Sequence, residues 1–83
     1  MGPIGRAALY RTLKINLKCY QNHKKRKEAA LEGESNTLRR LGWEQASVAI
    51  LENILTYVDE LIKNDDAVNM LIENGEVSRD DYF

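Results

Sequence analysis

The densest set of side chains able to do chemistry is His23-Lys24-Lys25-Arg26-Lys27, and the chemistry it points to is contact with phosphate. Arg11, Lys14 and Lys18 precede it and Arg39 and Arg40 follow it, so ten cationic or imidazole side chains form a candidate nucleic-acid-binding set. Long cations touch successive phosphates without reading bases, and the affinity they give falls with salt. The same run is also what a solvated helix face, a protein-binding patch or a surface paired with carboxylates looks like. Tyr20 beside the cluster has a ring that stacks on an unpaired base or completes an apolar stripe.

Other reactive types lack companions. Cys19 and His23 are four apart, the spacing of one helix face, but no sequence-defined third group orients them as a nucleophile and base. One cysteine rules out a disulfide within the chain and a cysteine-rich metal centre. The pairs Asp59-Glu60, Asp65-Asp66 and Asp80-Asp81 follow no calcium-loop or zinc-protease spacing, and their expected work is helix capping and solubility. The five glycines are dispersed, so no phosphate-cradling loop is formed. The expectation is a protein that is not an enzyme and needs no metal or cofactor.

Aromatic residues supply a second candidate set, for protein contact: Tyr20, Trp43, Tyr57, Tyr82 and Phe83. Large amphipathic rings contribute heavily where an interface excludes water. Trp43 also suits the cover of a core at a helix end. Tyr82 and Phe83 follow two aspartates as an aromatic pair, expected in a loose tail, docked on this chain or held by a partner.

These residues need elements to position them, and the composition favours helices. One proline and five glycines stand among dense Leu, Ala, Lys and Glu. Residues 6–31 read as a first helix, its apolar stripe Leu9, Leu13, Leu17 and Tyr20, with Arg11, Lys14 and Lys18 largely off the stripe. Glu32-Gly33-Glu34-Ser35-Asn36 reads as a connection, Gly33 ending one helix and Ser35 or Asn36 capping the next; Arg39 and Arg40 then fall in that helix or in a short turn closed by Gly42. From Trp43 on, Val48, Leu51, Leu55, Val58 and Ile62 follow spacings of three and four, and Ile50, Ile54 and Leu61 widen the face enough to pack against two helical surfaces. Asn64-Asp65-Asp66 either caps a further helix containing Val68, Leu71 and Ile72, with Gly75 as its C-cap, or continues the same one.

The expected fold is all-α: a small helical hairpin or three-helix bundle, completed by dimerisation if one chain buries too little. At 83 residues and 9.5 kDa it is a single domain spanning 1–83, with flexible residues expected at 1–5 and 79–83. The first helix folds back so that Leu9, Leu13, Leu17 and Tyr20 meet Ile50, Leu51, Ile54, Leu55 and Val58, and Leu71 and Ile72 close one end. The formal charge of −1 hides an asymmetry: residues 1–40 carry +7 and residues 41–83 carry −8. Either the halves attract one another in the fold, or the positive half stays open to an acidic partner. With no signal segment, acylation pattern or apolar run of membrane length, the reading is cytoplasmic. Three functional classes follow: a helical interaction or regulatory protein docking on a protein partner or on itself, a DNA- or RNA-binding accessory protein using the basic face, and a homo-oligomeric assembly subunit.

Overall fold

The computed structural model describes residues 2–30 and 32–83. The expected loose start includes Met1 and the expected first helix ends at Leu31, and both residues lie outside the described set. Among the described residues there are four α-helices and no strand: α1 (Pro3–Arg26), α2 (Glu32–Arg40), α3 (Val48–Lys63) and α4 (Asp66–Glu73), then a 3-10 turn (Arg79–Asp81). The 24 residues of α1 are about 36 Å long at 1.5 Å per residue, which accounts for the 39 Å long axis of the molecule. The other helices pack along this spine.

Pro3 sits in the first turn of α1, where its missing N–H is no loss, so the helix takes in residues expected to be loose. It ends at Arg26 because Lys27 adopts the left-handed conformation (φ 57°). Lys27 N–H then donates to Lys24 O and Glu28 N–H to His23 O, satisfying the last carbonyls, while four cationic or imidazole side chains face the negative end of the helix dipole. The break therefore falls at a lysine, and the expected connection at 32–36 is instead the start of α2. Gly33 ends nothing; its carbonyl accepts from the Thr37 hydroxyl at 2.9 Å.

Gly75 does the work expected of it, and Gly42, expected at most to end a short turn, closes a nine-residue helix. At φ +74° and +73° they close α2 and α4, with the paired bonds Gly42 N to Arg39 O and Trp43 N to Leu38 O, then Gly75 N to Ile72 O and Glu76 N to Leu71 O. Ser47 caps α3 by accepting from Ile50 N, and Asp65 caps α4 by accepting from Val68 N. Asn69 strengthens the α3–α4 corner by donating to Ile62 O at 2.9 Å.

The core comprises Ala7 and Leu17 of α1, Leu38 of α2, Leu51, Val58 and Ile62 of α3, Val68 of α4 and Tyr82. The inward seam of α1 is buried Ala7, Lys14, Leu17 and Gln21 with half-buried Tyr10 and Lys24 in line, at alternating steps of three and four. It is rotated from the expected stripe: Leu17 belongs to both, Leu13 and Tyr20 are half-buried, and Leu9 is 44% exposed. Lys14, expected off the stripe, lies inside it. The rotation follows from what α1 faces, because carboxylates and loop carbonyls of the other half need donors, and a lysine stem adds apolar contact to its charge.

The C-terminal segment also departs from the expectation of a loose tail. Tyr82 is 1% exposed and its hydroxyl donates to Ala7 O at 2.8 Å. Lys14 Nζ donates to the Tyr82 carbonyl, so the turn is tied to α1 at two points.

Candidate docking surface

Part of the asymmetric charge is paired between the two halves. Arg6 pairs with Asp65 (2.8 Å), Arg11 with Asp81 (3.1 Å), Lys14 with Asp59 (2.6 Å), Lys25 with Glu52 (3.8 Å) and Arg39 with Glu44 (3.3 Å). Each pair joins a cation of residues 1–40 to a carboxylate of residues 41–83. The exposed members contribute about 0–1 kcal/mol each. The buried Lys14 and the nearly buried Asp65 are the structural ones.

Asp65 accepts from Arg6 Nε at 2.8 Å and Arg6 Nη2 at 3.2 Å, from the Tyr10 hydroxyl at 3.1 Å and from Val68 N at 3.2 Å. The Arg6 hydrogen bond holds its carboxyl down to about 2; burial opposes this, and Val68 N–H and Tyr10 add to it. Burial, and then Asp65, keeps the Tyr10 phenol above its usual range, so it remains a donor. A depressed carboxyl stabilises the fold above the unfolded pKa of roughly 4 and loses that contribution as pH falls toward 2. Asp65→Asn keeps an N-cap and removes the charge. The urea midpoint of wild type is expected to exceed that of the variant at pH 6, with the gap closing by pH 2; an equal gap at both pH values would contradict the assignment.

Lys24 belongs to a third cluster. Its ammonium donates to Ala46 O and to Glu44 O (3.1 Å) and lies 5.0 Å from the centre of the Tyr20 ring, while the Tyr20 hydroxyl donates to Glu44 O at 3.3 Å. Together Lys24 and Tyr20 hold the connector between α2 and α3. His23 Nδ1 sits 3.7 Å from Glu28 Oε2 in a half-buried position.

The ten candidate phosphate-binding residues are thus divided. Lys14 and Lys24 are structural, His23 is half-buried, and Arg11, Lys25 and Arg39 are exposed but paired. Lys18, Arg26, Lys27 and Arg40 are exposed and make no ion pair among the described residues. The aromatic set divides as well. Tyr82 is buried, Tyr20 is spent on the connector, and Trp43 is half-buried against the core after the closing turn of α2. Tyr57 (65% exposed) and Phe83 (52%) remain open.

Tyr57 has company that the sequence reading treated as buried. Ile50 (50% exposed), half-buried Ile54, Tyr57 and Leu61 (38%) follow at steps of four, three and four along the outer side of α3. Leu51, Val58 and Ile62 take the inner side. The expected broad apolar face of α3 is real; its inner part is covered, Ile54 at its margin packs partly against the core, and Ile50, Tyr57 and Leu61 stay exposed. Its width was the available signal; which part would stay open depends on the placement of α1. Elsewhere Ile4 and Ile15 on α1 stand apart, with Arg11 between them, and isolated apolar side chains on a surface are ordinary.

A shallow open cleft of about 400 Å³ is lined by Lys63, Asn69, Ile72, Glu73, Arg79 and Phe83. No cluster of three His, Cys, Asp or Glu able to hold a metal ion occurs among the described residues, and no described helix is long and apolar enough to cross a membrane. No family model matches the chain, and no curated protein or solved structure matches it significantly. The surface itself is the basis for a functional reading.

Proposed function

We propose that this protein acts without catalysis, by docking on a macromolecular partner through the outer row of α3. One observation carries the reading: Ile50, Ile54, Tyr57 and Leu61 form a continuous apolar row on a well-capped helix, with its largest ring the most exposed member. A rigid aromatic with aliphatic neighbours is the usual anchor of a protein interface. The internal ion pairs favour it further, since they reduce the charge available for partners of either sign.

A second reading, binding of DNA or RNA, rests on Lys18, Arg26, Lys27 and Arg40, with Lys25 in a weak exposed pair. One experiment separates the two. A photo-crosslinking amino acid is placed at position 57 in one form of the protein and at position 18 in another. Docking through α3 predicts protein adducts from position 57 that disappear with Ile50→Asp and Leu61→Asp. Adducts to nucleic acid, formed from position 18 alone, would overturn it in favour of the basic face.

A further inference from the structure

The outer row of α3 has a spacing of four, three and four that matches itself when reversed, and the inference rests on the docking reading above. We infer that the row binds a second copy of this chain, α3 against α3 and antiparallel. Place a two-fold axis at the level between Leu55 and Thr56. Ile50 then lies opposite Leu61 of the second copy, and Ile54 opposite its Tyr57. Every apolar member meets an apolar member, and each contact occurs twice, as a closed symmetric pair requires.

The polar flank fits the same arrangement. Asn53 and Glu60 are exposed and seven apart, so they share one edge of the row. Antiparallel pairing brings Glu60 alongside Asn53 of the second copy, whose side-chain amide donates to the carboxylate. The two Glu60 carboxylates stand nine residues apart along the axis, about 13 Å. That exceeds the screening length of roughly 8 Å in physiological salt. Each Glu60 also approaches the N-terminal part of the other α3, whose first turn holds no acidic residue and whose dipole favours an anion. Parallel pairing would set the two Glu60 residues at the same level. Two copies also repel little overall, each having a formal charge of −1.

Four side chains per copy make a small contact, below the roughly 800 Å² per partner of a standard interface, so the pair is reversible. Sedimentation equilibrium from about 10 μM to 1 mM, the range of weak complexes, tests it. The average mass is expected to climb from 9.5 kDa toward twice that value. Tyr57→Asp, with helicity unchanged by circular dichroism, is expected to hold it at the monomer mass. Cysteine crosslinking in a Cys19→Ser background reads the register. A mixture of Ile50→Cys and Leu61→Cys chains should link, whereas Ile50→Cys alone should not, its two sulfur-bearing positions being about 16 Å apart along the axis.

A monomer at every concentration, a dimer indifferent to Tyr57→Asp, or efficient linking of Ile50→Cys chains to themselves would each overturn the inference. Monomeric protein that still forms position-57 adducts with a different protein would overturn self-pairing and leave the docking reading standing. Monomeric protein without such adducts would overturn both.

Discussion

Tyr82→Ala is expected to lower the melting temperature by about 12 °C or more. The ring is fully buried against α1, and loss of a buried aromatic costs about 3–5 kcal/mol. An 83-residue fold has only about 4–12 kcal/mol in total. At 4–8 °C per kcal/mol for a domain of this size, 3 kcal/mol is enough for the stated shift. Tyr82→Phe should cost far less, about 1–2 kcal/mol, because it keeps the ring and gives up only the hydroxyl bond to Ala7 O. Thermal melts followed by circular dichroism check both. A Tyr82→Ala protein that melts with wild type would show that the terminal turn is not part of the core.

The second large effect is at Lys14, where charge sign should matter more than size. Its side chain is almost fully enclosed, with Nζ 2.6 Å from Asp59, bonded to the Tyr82 carbonyl and 5.8 Å from the centre of the Phe83 ring. Lys14→Glu turns every one of these contacts repulsive, and the expected cost is about 3–5 kcal/mol, that of breaking a buried pair. Lys14→Met retains the packed stem and removes the desolvation cost of the ammonium. It also leaves the buried Asp59 Oδ1 and the Tyr82 carbonyl without their donor, although the rest of the Asp59 side chain, 40% exposed, stays in contact with water. The methionine variant should therefore cost about 1–3 kcal/mol, less than the glutamate, which adds repulsion to the same unpaired groups. Urea midpoints decide it, and equal tolerance of Met and Glu would contradict a role for the charge.

These two residues also show where the sequence could be read and where it could not. Capping chemistry is local, so Gly75 was legible as a helix end, and Asp65 as one of two alternatives, from their own types and neighbours. The seam of α3 was legible because Leu51, Val58 and Ile62 are apolar at helical spacing whatever they face. The register of α1 was not, since Leu9 and Leu13 look like core and Lys14 like surface until the carboxylate at Asp59 is brought beside it. The end of α1 was hidden for a related reason: Lys27 takes the left-handed position where a glycine would have announced it, while Gly33 announced a break that α2 does not make. Tyr82 depended wholly on tertiary placement, because Ala7 is 75 residues away.

The candidate site followed the same division. The charge asymmetry was plain in the sequence, and its two outcomes, internal pairing or an open basic face, were both visible. Five cross-half pairs show how much is paired, two of them, at Lys14 and Asp65, with an enclosed member. Lys24 gives the reason the basic run misleads. It stands among four charged or imidazole neighbours in sequence, yet its ammonium is committed to the connector carbonyls. What is left for a partner is a smaller set of cations and the apolar row on α3, whose members are individually unremarkable and acquire meaning from their shared exposure.

The central claim is that Lys14 and Lys24, although they belong to the basic half, are building material, and residue-resolved lysine acylation of the folded protein, read by peptide mass spectrometry, tests it most directly. Lys14 should react slowest and Lys24 next, with Lys18, Lys25, Lys27 and Lys63 modified rapidly. Acylation of Lys14 and Lys24 at the rate of Lys18 would contradict the claim and return the whole basic run to the surface.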